Sequence, residues 1–176
     1  IPGDIVYTHG SISEYRKQFF PIYNTETPNV NEGAPLLRNT LFMSALGNHD
    51  VDGRDLSATP DGMAYFYYWF QPLNGPAGTL SSPGFPTVKG ATTSTRSFYM
   101  AALPQFPNMA NYSFDYGNSH WVVLDSNDYA EWSKGPMKEW LEKDLESAKN
   151  ATWRFVTYHH PGLGAKFRPD DPKMQI

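Results

Sequence analysis

Cysteine is absent from the chain of 176 residues. Disulfide staples, thiolate zinc sites and thiol nucleophiles are thereby excluded, so any metal must be held by oxygen atoms or imidazole nitrogens. No apolar run approaches the roughly 20 residues that a membrane-spanning helix needs. Positive charge is not in surplus either: 14 Lys and Arg stand against 18 Asp and Glu, a net charge of −4. A broad nucleic-acid surface, which requires clustered cations, is therefore not evident. The opening residues Ile1-Pro2-Gly3-Asp4 contain neither Met nor a basic start followed by an apolar centre. The closing stretch Asp170–Ile176 is polar and ends no recognisable element. Both ends read as cuts in a longer polypeptide.

What is present describes a globular chain. Hydrophobic residues make up 40% and charged residues 18%, a balance that supports a packed core and argues against disorder. The length suits one ordinary domain. The 14 Gly and 15 Pro predict many loops.

Ser11-Ile12-Ser13-Glu14 has the form of a capping box, and a helix is expected from there to about Phe20, with Pro21 disfavouring continuation. Residues 24–39 read as loop. Leu41–Leu46 is a short apolar run closed by Gly47 and reads as a buried strand. Residues 51–95 form a long loop-rich insertion whose aromatic cluster, Tyr65–Phe70, anchors it to the core. Strands are expected at Ser97–Ala102, Tyr112–Tyr116 and Trp121–Leu124. The second alternates apolar and polar residues, and the third is continuously apolar, as in a strand covered on both faces. Gly117-Asn118 between the last two is a turn signal. A helix from Pro136 to about Lys149 carries an apolar stripe, and Trp153–Tyr158 reads as the next strand.

Three polar clusters share one placement. Gly3-Asp4-Ile5-Val6-Tyr7 opens the chain, Gly47-Asn48-His49-Asp50 follows the Leu41–Leu46 run, and His159-His160 follows the Trp153–Tyr158 run. Binding sites of α/β sheets form beyond the carboxyl ends of the strands, so segments this far apart in sequence are able to converge. Their donors are chemically consistent. Asp4 offers a carboxylate that can bridge two cations, Asn48 an amide oxygen, and His159 an imidazole nitrogen. Tyr7 offers a phenol that gives up its proton readily only beside a highly charged cation, its ordinary pKa being about 10. Mixed oxygen and nitrogen ligands suit Fe, Mn and Zn.

In this order, GDIVY, GNHD and VTYHHP resemble the second, third and fourth signature motifs of the calcineurin-like metallophosphoesterases. Tyr7 narrows the resemblance to the purple acid phosphatase branch. The run NYSFDYGNSHWVVLDSN, the EWLEKDL helix and WRFVTYHHP are similar to that branch as well, so the likeness covers most of the chain and is weakest over 51–95. It implies an α/β/β/α sandwich, of which the chain 1–176 would be an incomplete catalytic domain. It also implies a hydrolase of phosphate monoesters working through a hydroxide activated by two metal ions, Fe(III) with Fe, Zn or Mn(II). By the same resemblance Asp4 bridges the metals, Tyr7 binds the first, and Asn48 and His159 bind the second. His49 holds or protonates the leaving oxygen. His160 stands behind the ligand or faces the substrate, and Asp50 orients His49 or its loop. A small phosphoester is the implied partner and export the implied destination. The family's first motif, with an Asp ligand, should precede GDIVY, and a Gly-His-x-His pair should follow HHP; neither is in the sequence. Diester or nucleotide hydrolysis, and a non-catalytic module on a decayed phosphatase fold, stand as alternatives. His9 reads as a surface loop histidine or a phosphate contact, and His120 as structural.

Overall fold

A computed structural model describes residues 1–80 and 82–161. The Gly162 that closes the HHPG stretch, and the polar tail Asp170–Ile176, lie outside the described residues. The chain is mixed α and β around one small sheet.

Helix α1 (Ile12–Glu14) starts on the expected capping box: the Ser11 hydroxyl accepts from the Glu14 amide at 3.2 Å, and a Glu14 carboxylate oxygen takes the Ser11 amide at 2.9 Å. It runs into a π-helical turn (Tyr15–Phe19) and on into α2 (Phe20–Tyr23). Pro21 therefore does not end the helix at Phe20. It falls in the first turn of α2, where its missing N–H has no intrahelical role.

Two strand expectations are corrected. Leu41–Leu46 is not a strand in the structure. Its carbonyls are taken by side chains instead of a ladder: the Tyr65 and Tyr112 hydroxyls both donate to Ser44 O at 2.9 Å. Gln71 Nε2 donates to Phe42 O at 3.3 Å, and two further links run to the first residue, with Ala45 N donating to Ile1 O at 2.9 Å and the Ile1 amino group donating to Met43 O at 2.6 Å. Ser97–Ala102 lies within helix α4 (Thr92–Ala102). The run is too short to fix its period, and Phe98 and Ala102, four apart, bury one helical face. Helix α3 (Tyr65–Tyr68) sits inside the expected aromatic cluster.

The other elements follow the sequence. Strands β1 (Tyr112–Tyr116) and β2 (Ser119–Val123) pair antiparallel through the turn at Gly117, whose φ of +60° suits glycine. Helix α5 (Gly135–Ser147) then crosses over to β3 (Trp153–Thr157), which pairs parallel with β2. Val122, Leu124, Trp132 and Met137 pack between the sheet and α5. The opposite face carries a ladder of rings, Phe114 on Trp121 at 6.1 Å and Trp121 on Phe155 at 4.3 Å, and lines an open groove of about 540 Å³ with Leu41 and Met43. Val122 and Val123, on opposite faces of β2, are both buried, Val123 against Ala45 and Tyr112, so the end of the strand is covered on both faces as expected while Trp121 is partly exposed. The largest core cluster is aromatic and joins the π-helical turn, α3 and α4 through Tyr15, Phe19, Tyr65, Phe66 and Phe98.

Candidate metal centre

The three polar clusters meet, although only His159-His160 follows a strand of the structure. Gly3 has φ +86° and lies so close to Gly47 that a Cβ on it would stand 2.7 Å from the Gly47 amide nitrogen. The first two clusters therefore approach backbone to backbone. Asp4 follows at φ +50°, a left-handed conformation that aspartate tolerates better than most residues. Asp50, fully buried one turn after Gly47, binds both loops: its carboxylate accepts from Ile5 N at 3.1 Å and from Gly47 N at 2.8 Å. Burial pushes its pKa up to about 7 despite those two donors. Asp50 thus orients the loops rather than the His49 ring.

Side chains then converge on one point. One oxygen of Asp4 accepts from the His49 amide at 3.0 Å; the other accepts from the Tyr7 hydroxyl at 2.8 Å and lies 3.2 Å from His159 Nε2. Asn48 Oδ1 is also 3.2 Å from His159 Nε2. The Asp4 carboxylate, by hydrogen bond and by charge, holds the Tyr7 phenol proton on above its ordinary range. Without a cation Tyr7 is accordingly a donor; as a ligand it would have to lose that proton. His49 Nδ1 lies 2.7 Å from Thr8 O, and its ring stands 4.4 Å from that of Tyr7. With Nδ1–H donating to that carbonyl, Nε2 is left for other work.

The donor set can be tested for a cation. His159 Nδ1 lies 2.8 Å from Pro2 O, an acceptor, which assigns the proton to Nδ1 and a lone pair to Nε2. That lone pair faces two further acceptors, Asp4 Oδ2 and Asn48 Oδ1. A positive centre, a proton on Nε2 or a metal ion, would satisfy all three atoms together. One carboxylate, one imidazole, one amide oxygen and one phenol oxygen are mixed O and N ligands of the kind Fe, Mn and Zn accept. The residues fit the implied metals. Among the described residues no group of three or more His, Cys, Asp or Glu side chains is placed to hold a metal; two of the four donors here are of other types.

His160 turns away from this point. Its Nδ1 lies 2.9 Å from Ser126 Oγ, and its amide donates to the same oxygen at 3.0 Å. Burial, with the neighbouring His159, holds its pKa below the ordinary imidazole value. His9 and His120 lie outside the convergence, His120 between Asp115 and Asp144 at 2.8 Å each.

Sequence reasoning missed the segment after β2. Buried Asp125 accepts from Asn127 N at 2.9 Å, Asn127 Nδ2 at 2.8 Å and the Tyr129 hydroxyl at 2.7 Å. Burial raises its pKa to about 6. Asn127 Nδ2 also reaches Gly47 O at 3.3 Å, while Ser126 holds His160. Asp-Ser-Asn directly after a strand, at the sheet end where the other clusters gather, was the signal that could have found them.

Comparison with known proteins finds no family model that matches the chain, no similar curated protein and no similar solved structure. Among the described residues no helix is long and apolar enough to cross a membrane.

Proposed function

We propose that the chain forms part of a metal-dependent phosphoesterase that hydrolyses phosphate monoesters. One observation carries the reading: Asp4, Asn48 and His159, from three distant segments, direct lone pairs at one point, with Tyr7 on the same carboxylate. The motif resemblance supports it independently. Asp4, Tyr7, Asn48 and His159 would hold the metals, Fe(III) with Fe, Zn or Mn(II). Cations bound there supply positive charge that lowers the pKa of water and neutralises a phosphoryl group. The chain's own residues do the rest. Asp50 and Gly47 fix the loop that carries Asn48 and His49. His49, its Nδ1–H anchored on Thr8 O, would in its imidazolium form give the Nε2 proton to the leaving oxygen and be left as the neutral ring. In this reading the three-stranded sheet is one portion of an α/β/β/α sandwich, the site is completed by flanking segments of a longer polypeptide, and the protein is exported.

The test is hydrolysis of p-nitrophenyl phosphate by the full-length polypeptide, with and without added Fe and Zn or Mn. Activity that requires metal and falls at least about 100-fold in Asn48→Ala and His49→Ala is expected, a loss in the range of general acid–base and metal-ligand contributions. A charge-transfer colour lost in Tyr7→Phe would identify ferric iron. Turnover that does not depend on metal overturns the two-metal mechanism, and no turnover with an intact fold overturns the reading in favour of a non-catalytic module.

A further inference from the structure

A second pair of titratable side chains stands beside this site. His9 Nδ1 lies 2.6 Å from Asp52 Oδ2, and both side chains are half-exposed. The pair is tied to the site from both partners. His9 is the second residue after Tyr7, and the intervening Thr8 carbonyl is the acceptor for His49 Nδ1. Asp52 stands three residues after His49 in the 3₁₀ turn His49–Arg54, a spacing at which 3₁₀ side chains eclipse. That spacing places Asp52 on the same face of the turn as His49, and His9 is held against Asp52.

The His9 backbone is clamped as well. Its amide donates to both carboxylate oxygens of Glu14 at 3.1 Å, and its carbonyl accepts from Gly53 N at 3.0 Å. An exposed His–Asp pair contributes at most about 1 kcal/mol to stability, so folding alone does not account for a ring held this closely. Orientation does. With Nδ1–H donated to Asp52, Nε2 of the neutral ring is an acceptor. Among the described residues neither His9 Nε2 nor Asp52 Oδ1 has a hydrogen-bond partner. Two acceptors side by side at the rim are complementary to a ligand group that carries donors.

We infer that His9 and Asp52 recognise the alcohol portion of the phosphoester, and that they favour a hydroxyl-bearing alcohol such as a polyol, sugar or nucleoside. The inference rests on the phosphoesterase reading, since it takes the phosphate to sit at the Asp4–Asn48–His159 point. His9 is here a specificity-determining contact, while Asp52 positions it.

Binding of non-hydrolysable probes tests this without turnover. Calorimetry on the full-length, metal-supplemented polypeptide compares 2,3-dihydroxypropylphosphonate with methylphosphonate. The hydroxylated probe is expected to bind more tightly, and His9→Ala to weaken it about 10-fold while changing methylphosphonate less than about 3-fold. Asp52→Asn should lie between wild type and His9→Ala, because it loosens the ring without removing it. If both probes bind wild type and His9→Ala weakens them equally or not at all, this inference falls and the phosphoesterase reading stands. If neither phosphonate binds wild type, both fall.

Discussion

Residue by residue, the two buried polar centres of this protein do different work, and His120 shows the structural kind. Its imidazole is 5% exposed and lies between a largely buried Asp144 and an exposed Asp115. Burial opposes its charge, but the hydrogen bonds to Asp144 and Asp115 outweigh that and hold its pKa above the ordinary value. A histidine whose folded pKa is raised contributes stability that is full below about pH 6.5 and fades as pH climbs through the raised value. His120→Asn should therefore cost about 2 kcal/mol at pH 6, the scale of a hydrogen bond to a charged group. The gap from wild type should shrink toward pH 9 in urea denaturation; a gap that stays constant or widens contradicts it. The Asp4 cluster contrasts with this. Tyr7 is half-exposed, and its hydrogen bond to Asp4 gathers side chains of the converging loops rather than joining strand to helix.

At the level of elements, the capping box links helix formation to the site. Glu14 closes the cap with Ser11 and also receives the amides of Thr8 and His9. Ser11→Ala should cost about 1 kcal/mol, as the loss of an N-cap does, read as a lower midpoint in thermal denaturation. No change in midpoint would show that Glu14 holds the turn unaided. Sequence pattern found the elements with a clear local signal: the Ser11 box, the alternation of Tyr112–Tyr116, the α5 stripe and the turn at Gly117. It failed where short apolar runs admit two periods. Ser97–Ala102 is helix with its buried side chains four apart, and Leu41–Leu46 lies outside the sheet, the Ser44 carbonyl being taken by two tyrosine hydroxyls. Such hydroxyls come from residues 21 and 68 positions away and leave no trace in the local pattern. Asp4, Asn48 and His159 were readable from their motifs, but strand-end placement holds only for His159. Asp125 and Asn127 follow β2 directly and were passed over, because they act through Gly47 and one another.

Over the whole molecule, stability centres on the aromatic core fed by residues 51–95, so the insertion is structural as well as loop-rich. Phe66 is 1% exposed and packs edge-to-face on Tyr65 at 5.2 Å and Phe106 at 4.9 Å. Phe66→Ala should destabilise by about 3–5 kcal/mol, the usual cost of emptying a buried phenyl site; a loss below about 1 kcal/mol in denaturant titration would mean that the core refills the space. This core fixes Val51, Leu56 and Met63 around the turn that carries Asn48 and His49, while the sheet delivers His159 from its far strand. The site is thus a property of the fold rather than of any one segment. Anomalous diffraction from crystals of the full-length polypeptide soaked in Mn(II) examines that directly. A cation bounded by Asp4 Oδ2, Asn48 Oδ1 and His159 Nε2 is the expected result, absent in Asn48→Ala; a well-ordered site with no cation at this point, or a cation held only elsewhere, would contradict it.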